Sequence, residues 1–309
     1  MHYLLLTVAS ALSCTQVVVN KFYNKGKNNP FSAVLFIALA VALVFAIGAR
    51  FRFDFKPLTI GIGLGFGLCY IAGFLFQILA LKEGSVSLTS LVLSYSLVLP
   101  TTFGIVFYKE YPNFFYYIGL IALVASLLLV GFPRKKTVTV GENGEVHEEQ
   151  KGLKVTPKWV FYITLGFLGN GCCSILSTFH QRKMRALYEL GKVAKADYKS
   201  ELMLVGMAVV VVVMAIIIFA TRKKDDGPCL LRASVFGTAC GGLNGLMNTI
   251  TLFIISSAVI PVSLMYPLNG SMSIIFSFLA GLLIFKEKPD KLGIVGLLCG
   301  LSAIILFNL

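Results

Sequence analysis

Apolar residues occur along the chain in ten long runs that are separated by shorter polar connections. A helix that crosses a bilayer needs about 20 residues, because each residue adds about 1.5 Å to a span of about 30 Å. Backbone groups in lipid must be hydrogen-bonded within their own segment, so the runs predict helices rather than strands. The runs cover residues 3–20, 31–49, 58–81, 86–107, 114–132, 159–179, 202–220, 233–256, 262–285 and 292–308. The pattern predicts an all-α integral membrane protein with ten transmembrane helices.

One long polar segment, residues 133–157, interrupts this series and places five runs on each side. It is rich in charged residues and glycine, which is typical of a solvated linker. The chain therefore divides into a first five-helix unit over residues 1–132, the linker, and a second five-helix unit over residues 158–309.

The two units resemble each other at the ends of their fourth helices. Glu110 and Gly119 in the first unit recur 177 residues later as Glu287 and Gly296. Thr7 matches Thr164 at an offset of 157, and Gly61 and Gly65 match Gly237 and Gly241 at 176, which indicates an insertion at 183–200. Because each unit has an odd number of helices, the two insert with opposite orientations. The sequence predicts two inverted repeats, as in many secondary transporters.

Composition supports a membrane protein, since 57% of the 309 residues are hydrophobic and only 13% are charged. The net charge of +13 would suggest nucleic acid for a soluble chain, but the basic residues lie in connections between apolar runs. There they orient helices against lipid headgroups, so no nucleic-acid partner is expected. The seven cysteines lack zinc or redox spacing, and we expect neither a metal site nor a cofactor.

Ten spans in two repeats, with Phe107-x-Lys109-Glu110 and Phe285-Lys286-Glu287 closing the fourth and ninth, resemble the drug/metabolite transporter superfamily. The chain is most similar to its EamA-like branch of ten-helix metabolite exporters. The resemblance implies a central cavity lined by the first, third, fourth, sixth, eighth and ninth helices. It also implies alternating access and termini in the cytoplasm.

Polar residues on one face of a span are candidates for the lining of such a cavity, because a buried amide requires a partner or water. Spacings of three, four and seven residues place them on single helical faces. Each could instead bond a neighbouring helix, and the tyrosines could serve only in packing or offer aromatic faces to a cation. The candidate substrate-binding residues are Gln16, Tyr70, Gln77, Tyr95, Asn170, Asn244, Asn248, Tyr266 and Asn269.

Acidic residues occur only in connections or near helix ends, so a proton-coupling carboxylate within a span is not expected. The first helix carries Ser10, Ser13, Thr15 and Gln16 where the related small multidrug-resistance proteins have a glutamate. His180 at the end of the sixth run is expected to be interfacial. The sequence offers no nucleophile and base within a span, which argues against an enzyme.

The sequence therefore predicts a secondary transporter, an exporter or exchanger, of a small neutral or zwitterionic polar metabolite. The alternatives are a transporter of quaternary-ammonium or drug-like cations, and a non-transporting scaffold with a transporter fold. The expected location is the cell membrane, as a monomer or homodimer in a bacterial inner membrane. The orientation is ambiguous, because basic residues favour an external N-terminus while the resemblance implies an internal one.

Overall fold

The computed structural model describes residues 2–26, 28–84, 89, 92–93, 95–110, 113–131, 137–140, 146–149, 156–221, 227–284 and 291–307. Ten α-helices occur within these ranges, together with one 3-10 turn at Tyr95–Leu97. The helices are α1 (His2–Asn24), α2 (Pro30–Gly48), α3 (Pro57–Glu83), α4 (Val98–Tyr108), α5 (Phe114–Gly131), α6 (Pro157–Glu189), α7 (Lys199–Thr221), α8 (Gly227–Ser257), α9 (Val262–Leu283) and α10 (Lys291–Phe307). Lys286 and Glu287, which belong to the motif of the second unit, lie outside the described residues.

Seven of these helices, α1 to α3 and α6 to α9, are long and apolar enough to cross a membrane. Shorter apolar helical stretches occupy Tyr95–Tyr108, Phe114–Ser126 and Ile294–Ala303. Large hydrophobic side chains cover the outside of the bundle, and Phe219, for example, is 84% exposed. The chain is therefore a multi-pass membrane protein.

The fourth apolar run differs from the continuous helix that the sequence predicted. The described part of it turns as a 3-10 helix at Tyr95–Leu97 before α4 begins at Val98. Pro100 has no backbone N–H to donate to the carbonyl of Ser96, so a continuous α-helix would leave that group unpaired. Thr89, Val92 and Leu93 ahead of the turn are helical, so the proline explains an interruption within the run.

The sixth helix extends ten residues beyond the end of its apolar run, because α6 continues through Arg182 and Arg185 to Glu189. Residues 183–189, expected to belong to a connection, are helical, and the connection is confined to residues 190–198. The extension has a polar surface, and the side chain of Arg185 pairs with Glu189 one turn later at 3.2 Å. Hydrophobicity alone missed this part because helices can continue beyond the hydrocarbon layer.

The linker contains a short antiparallel hairpin in its described part. Strand β1 (Thr137–Val140) pairs with β2 (Val146–Glu149), and Val140 lies opposite Val146. Threonine and valine favour extended backbone, which explains how a polar linker forms strands here.

The two five-helix units share one core instead of forming separate domains. Helix α3 packs along α6, α2 packs along α7 and α8, α1 packs along α8, and α5 packs along α10. A single cluster of buried apolar side chains draws on both units, for example Leu6, Phe66, Met207 and Ile254. The cavity described below lies between the two units.

Glycines allow the closest of these contacts. A Cβ on Gly241 of α8 would lie 2.5 Å from the carbonyl oxygen of Ile37 in α2, and one on Gly67 of α3 would lie 2.6 Å from the carbonyl oxygen of Gly206 in α7. Small residues let helix backbones approach each other in lipid. However, a Cβ on Gly61 has no neighbour within 4 Å and one on Gly65 meets only Leu176, so Gly63 and Gly67 are the glycines of this stretch that pack against α7.

Candidate functional site

A cavity lies near the middle of the bundle, between the two units. Its volume is about 150 Å³, roughly ten times the ~10–15 Å³ that one water molecule requires. Side chains of α1, α3, α6, α8 and α9 line it, together with Leu93 and Leu97 ahead of α4. These are the six segments that the resemblance to drug/metabolite transporters implied.

Eight of the nine candidate residues line this cavity. Only Tyr95 does not. Its hydroxyl donates to the carbonyl of Leu123 in α5 at 2.6 Å, and the 3-10 turn directs the side chain toward α5. The eight lining residues are Gln16, Tyr70, Gln77, Asn170, Asn244, Asn248, Tyr266 and Asn269.

Asn244 is the centre of a hydrogen-bonded network in the cavity wall. Its Nδ2 donates to Oε1 of Gln16 at 3.0 Å, which joins α8 to α1. Its Oδ1 accepts from the hydroxyl of Tyr70 and from Nδ2 of Asn248, each at 2.8 Å. Asn244 is only 2% exposed. Because its side-chain groups bond other protein groups, it positions its neighbours.

Tyr266 and Asn269 also bond neighbouring helices. The Tyr266 hydroxyl is 2.7 Å from the hydroxyl of Thr178 in α6, while Oδ1 of Asn269 accepts from Ser10 of α1 at 2.5 Å. Both partners lie on facing helices, so cavity lining and hydrogen bonding between helices apply to these residues together. They line the cavity and they hold α9 in place.

Several amide groups on the cavity wall have no hydrogen-bond partner within the described part of the chain. The half-buried side chain of Gln77 makes no such bond, and Asn170 uses only its Nδ2, which donates to Ser96 at 2.6 Å. Asn248 and Asn269 likewise each keep one amide atom without a bond to the described residues. A buried polar group without a partner is costly, so these groups are available to water or to a solute.

One wall of the cavity is aromatic. The rings of Tyr70 and Phe74 stack, with centroids 4.3 Å apart and planes 17° apart. Phe66 is tilted against Tyr70 with a centroid distance of 6.0 Å. Tyr70 is predictable from the sequence but Phe74 is not, because a phenylalanine in an apolar run gives no signal of its own. Ser174 is not among the predicted residues, although it follows Asn170 by one turn on the same face of α6.

No charged side chain is among the described residues that line the cavity. Glu201 is completely buried in the first turn of α7, where its Oε1 accepts from Lys195 at 2.5 Å and from the backbone of Asp54 at 3.1 Å. His180 is also fully buried, and its Nε2 lies 2.9 Å from the hydroxyl of Thr59 in the first turn of α3. Its position at the membrane interface stays a prediction. Within the described ranges, no group of His, Cys, Asp and Glu could hold a metal ion.

The connections near Glu201 contain a second polar cluster. The Tyr198 hydroxyl donates to Oδ2 of Asp54 at 3.0 Å, and Lys56 pairs with the same oxygen at 3.1 Å. The hydrogen bonds from Lys56 and Tyr198 lower the pKa of Asp54, whereas burial raises the pKa of Tyr198. This cluster belongs to the connections before α3 and α7 and is separate from the cavity.

Comparisons with known proteins agree with this architecture. No curated protein is similar enough in sequence to count as a match. Among solved structures 28 chains match. One of them, described only as the crystal structure of a protein, has 15% sequence identity and a TM-score of 0.62 over 97% of this chain and 98% of its own. At that identity the likeness shows the fold alone.

The family described as sugar transport protein matches residues 8–308, which is nearly the whole chain. The match includes all the helices that line the cavity. The chain therefore belongs to the sugar transport protein family and is a membrane transporter.

Proposed function

We propose that this protein is a secondary transporter of a small, neutral, polyhydroxylated solute of the size of a monosaccharide. The observation that carries the proposal is the central cavity, which is uncharged in its described lining and displays amide groups without protein partners. The name of the family supports the substrate class. A zwitterionic metabolite is the alternative that the same lining would tolerate best.

The chemistry of the wall suits a sugar in particular. Each hydroxyl group of a sugar both donates and accepts a hydrogen bond, and amides such as Gln77 and Asn248 offer both kinds of partner. The apolar face of a sugar ring can pack against an aromatic surface such as the stacked pair of Tyr70 and Phe74. A neutral solute also avoids the cost of bringing a charge into the bilayer.

We further propose that the fold is the ten-helix arrangement of the drug/metabolite transporters, with two inverted repeats. The pseudo-two-fold axis of such repeats would relate α1 to α6, α2 to α7 and α3 to α8. The contact of α3 with α6 then becomes that of α8 with α1, and the contact of α2 with α8 becomes that of α7 with α3. All four are among the extensive contacts of the bundle, as two-fold pseudo-symmetry requires.

In this proposal the cavity opens to each side of the membrane in turn, and the cell membrane is the expected location. The cavity lies between the units, so relative movement of helix groups can expose it to either side. The bilayer is the only large partner needed, because the outer surface is apolar, and the chain can act as a monomer or homodimer. Export and exchange fit this mechanism equally well.

Uptake into proteoliposomes tests the proposal. We expect time-dependent uptake of at least one neutral monosaccharide or polyol, measured with labelled compounds. Amino acids and a quaternary amine serve as comparison substrates. The Gln77→Leu variant should weaken uptake by about tenfold in KM, because it removes cavity hydrogen bonds worth about 1.4 kcal/mol.

The same variant separates substrate binding from folding. Gln77 has no hydrogen-bond partner in the described structure, so leucine should leave the melting temperature unchanged. Uptake of the quaternary amine alone would contradict the proposal and favour the cation transporter. Binding of a sugar without any transport would instead favour the scaffold.

A further inference from the structure

Glu110 joins three helices on one side of the cavity. Its Oε1 accepts a hydrogen bond from Arg182 of α6 at 3.1 Å and one from the backbone N–H of Val262 at 3.3 Å. Its Oε2 accepts from the backbone N–H of Ser263 at 2.8 Å. Val262 and Ser263 are the first residues of α9, and Glu110 itself follows α4. A single carboxylate therefore connects the end of α4, the polar extension of α6 and the start of α9.

The local backbone of α4 is arranged for this contact. Lys109 ends the helix in the left-handed region, with φ of +53°, which non-glycine residues seldom adopt. Gly104, one turn and a half earlier, lies so close to α9 that a Cβ there would be 3.2 Å from the Ser263 nitrogen. A strained turn and a close helix contact thus bring the carboxylate to the N–H groups of α9.

These bonds should be stronger than an ordinary surface ion pair. The side chains of Arg182 and Glu110 are only 26% and 15% exposed, so water screens them incompletely. A carboxylate at the start of a helix also interacts favourably with the helix dipole and with free N–H groups. The guanidinium of Arg182 is further held over the ring of Tyr108 at 4.9 Å.

The cavity lies next to this contact, toward the middle of the bundle. One turn deeper on the same two helices, Thr178 of α6 bonds the hydroxyl of Tyr266 of α9 at 2.7 Å, and Tyr266 lines the cavity. Two successive layers of polar contacts therefore separate the cavity from this end of the bundle. The start of α1 lies at the same end, since His2 stacks on Phe253 near the end of α8 with a centroid distance of 6.0 Å.

We propose that Glu110 is a gate residue on the side of the membrane that carries the N-terminus. Its bonds to Arg182 and to the start of α9 hold the cavity shut on that side and break each time the cavity opens there. The inference rests on the proposed alternating-access function. It assigns to Glu110 a role in the transport cycle without direct contact with the substrate.

Labelling of a cavity cysteine tests the gate independently of transport. Ser177 lines the cavity on α6, and Ser177→Cys in a cysteine-free background provides the target. A membrane-impermeant thiol reagent is applied to vesicles from the face that carries the N-terminus. We expect Glu110→Gln to raise the labelling rate about fivefold, because losing a charged helix cap shifts the equilibrium toward the open state.

The matched control is Glu189→Gln, which removes an exposed ion pair with Arg185 on the same helix extension. It should leave the labelling rate unchanged. Arg182→Gln keeps the carboxylate cap and should raise labelling less than Glu110→Gln, and this variant decides the question if Glu110→Gln does not fold. Melting temperatures identify folded variants.

Unchanged labelling in every folded gate variant would overturn the inference. Its failure is distinguishable from failure of the proposed function. Uptake of a sugar with unchanged labelling rejects only the gate, whereas increased labelling without sugar uptake rejects only the substrate assignment.

Discussion

Polar side chains in the cavity wall differ in what their hydrogen-bonding groups contact. Both amide atoms of Asn244 form bonds, to Gln16, Tyr70 and Asn248, whereas Asn248 keeps its Oδ1 free of bonds to the described residues. We therefore expect Asn244 to stabilise the wall and Asn248, one turn away on α8, to bind a solute.

Alanine substitution should separate these roles. Asn244→Ala leaves Gln16 and Tyr70 without their partner, and we expect a loss of about 1–3 kcal/mol in the free energy of unfolding. Asn248→Ala should raise KM about fivefold, the value of one hydrogen bond, with a smaller effect on stability. Thermal unfolding and transport kinetics on both variants measure the difference. Equal loss of stability would show that both residues serve only in packing.

The positions of these residues could be predicted from sequence because helical spacing places polar side chains on one face. Their bonds could not, since the partners Ser10, Ser96 and Thr178 lie on other helices and far away in sequence. Tyr95 is a candidate because of its aromatic ring and not because of its spacing. Its hydroxyl bonds the carbonyl of Leu123 in α5, a partner that the sequence does not indicate.

At the scale of the helices, neighbouring glycines in α8 have different surroundings. A Cβ on Gly241 would approach the backbone of α2, whereas one on Gly242 has no neighbour within 4 Å. The two positions share one helix and one residue type. They therefore form a pair for measuring helix packing without a change in side-chain chemistry.

We expect Gly241→Ala to lower the melting temperature clearly, because the new methyl group must push α2 and α8 apart. Gly242→Ala should leave it unchanged or raise it slightly, since alanine favours helices more than glycine by up to about 1 kcal/mol. Thermal unfolding of both variants in detergent gives the comparison. A similar decrease for both would mean that the glycines matter for their backbone and not for the helix contact.

Within the proposed repeat, helix contacts favour a different alignment of α3 with α8. Gly63 and Gly67 in α3 contact α7 in the way that Gly237 and Gly241 in α8 contact α2. The sequence paired Gly61 and Gly65 with these residues instead, because several alternate positions of α3 are glycine. The contacts shift the proposed correspondence by two residues, and only the neighbours of each glycine reveal it.

For the whole molecule, the number of helices determines where the connections lie. In the proposed arrangement of ten spans, both termini lie on one side and the linker after the fifth helix lies on the other. Single cysteines at 140–150 and at the C-terminus should therefore be labelled by an impermeant reagent from opposite faces of a vesicle. Labelling of both from the same face would contradict the division into five and five.

The polar cluster around Asp54 predicts a pH dependence of stability that is separate from transport. The pKa of Asp54 is lowered by its bonds to Lys56 and Tyr198, so these bonds stabilise the fold above the unfolded pKa of the carboxyl group. The contribution is lost as the pH falls through the lower, folded value. Asp54→Asn should consequently reduce the difference in melting temperature between pH 7 and pH 3. An unchanged difference would show that other carboxyl groups account for acid sensitivity.

The uncharged side chains in the described cavity lining predict which gradient drives transport. Proton coupling needs a group that titrates within the pathway, and the described lining contains only neutral side chains. A solute gradient alone should therefore drive uptake and counterflow, and an imposed pH gradient should not concentrate the solute.

We expect Glu83→Gln, Glu110→Gln and Glu287→Gln each to retain measurable transport, with Glu110→Gln altering its rate through the gate. Complete loss of transport in a folded Glu83→Gln or Glu287→Gln variant, or accumulation driven by the pH gradient, would show that an acid takes part in coupling.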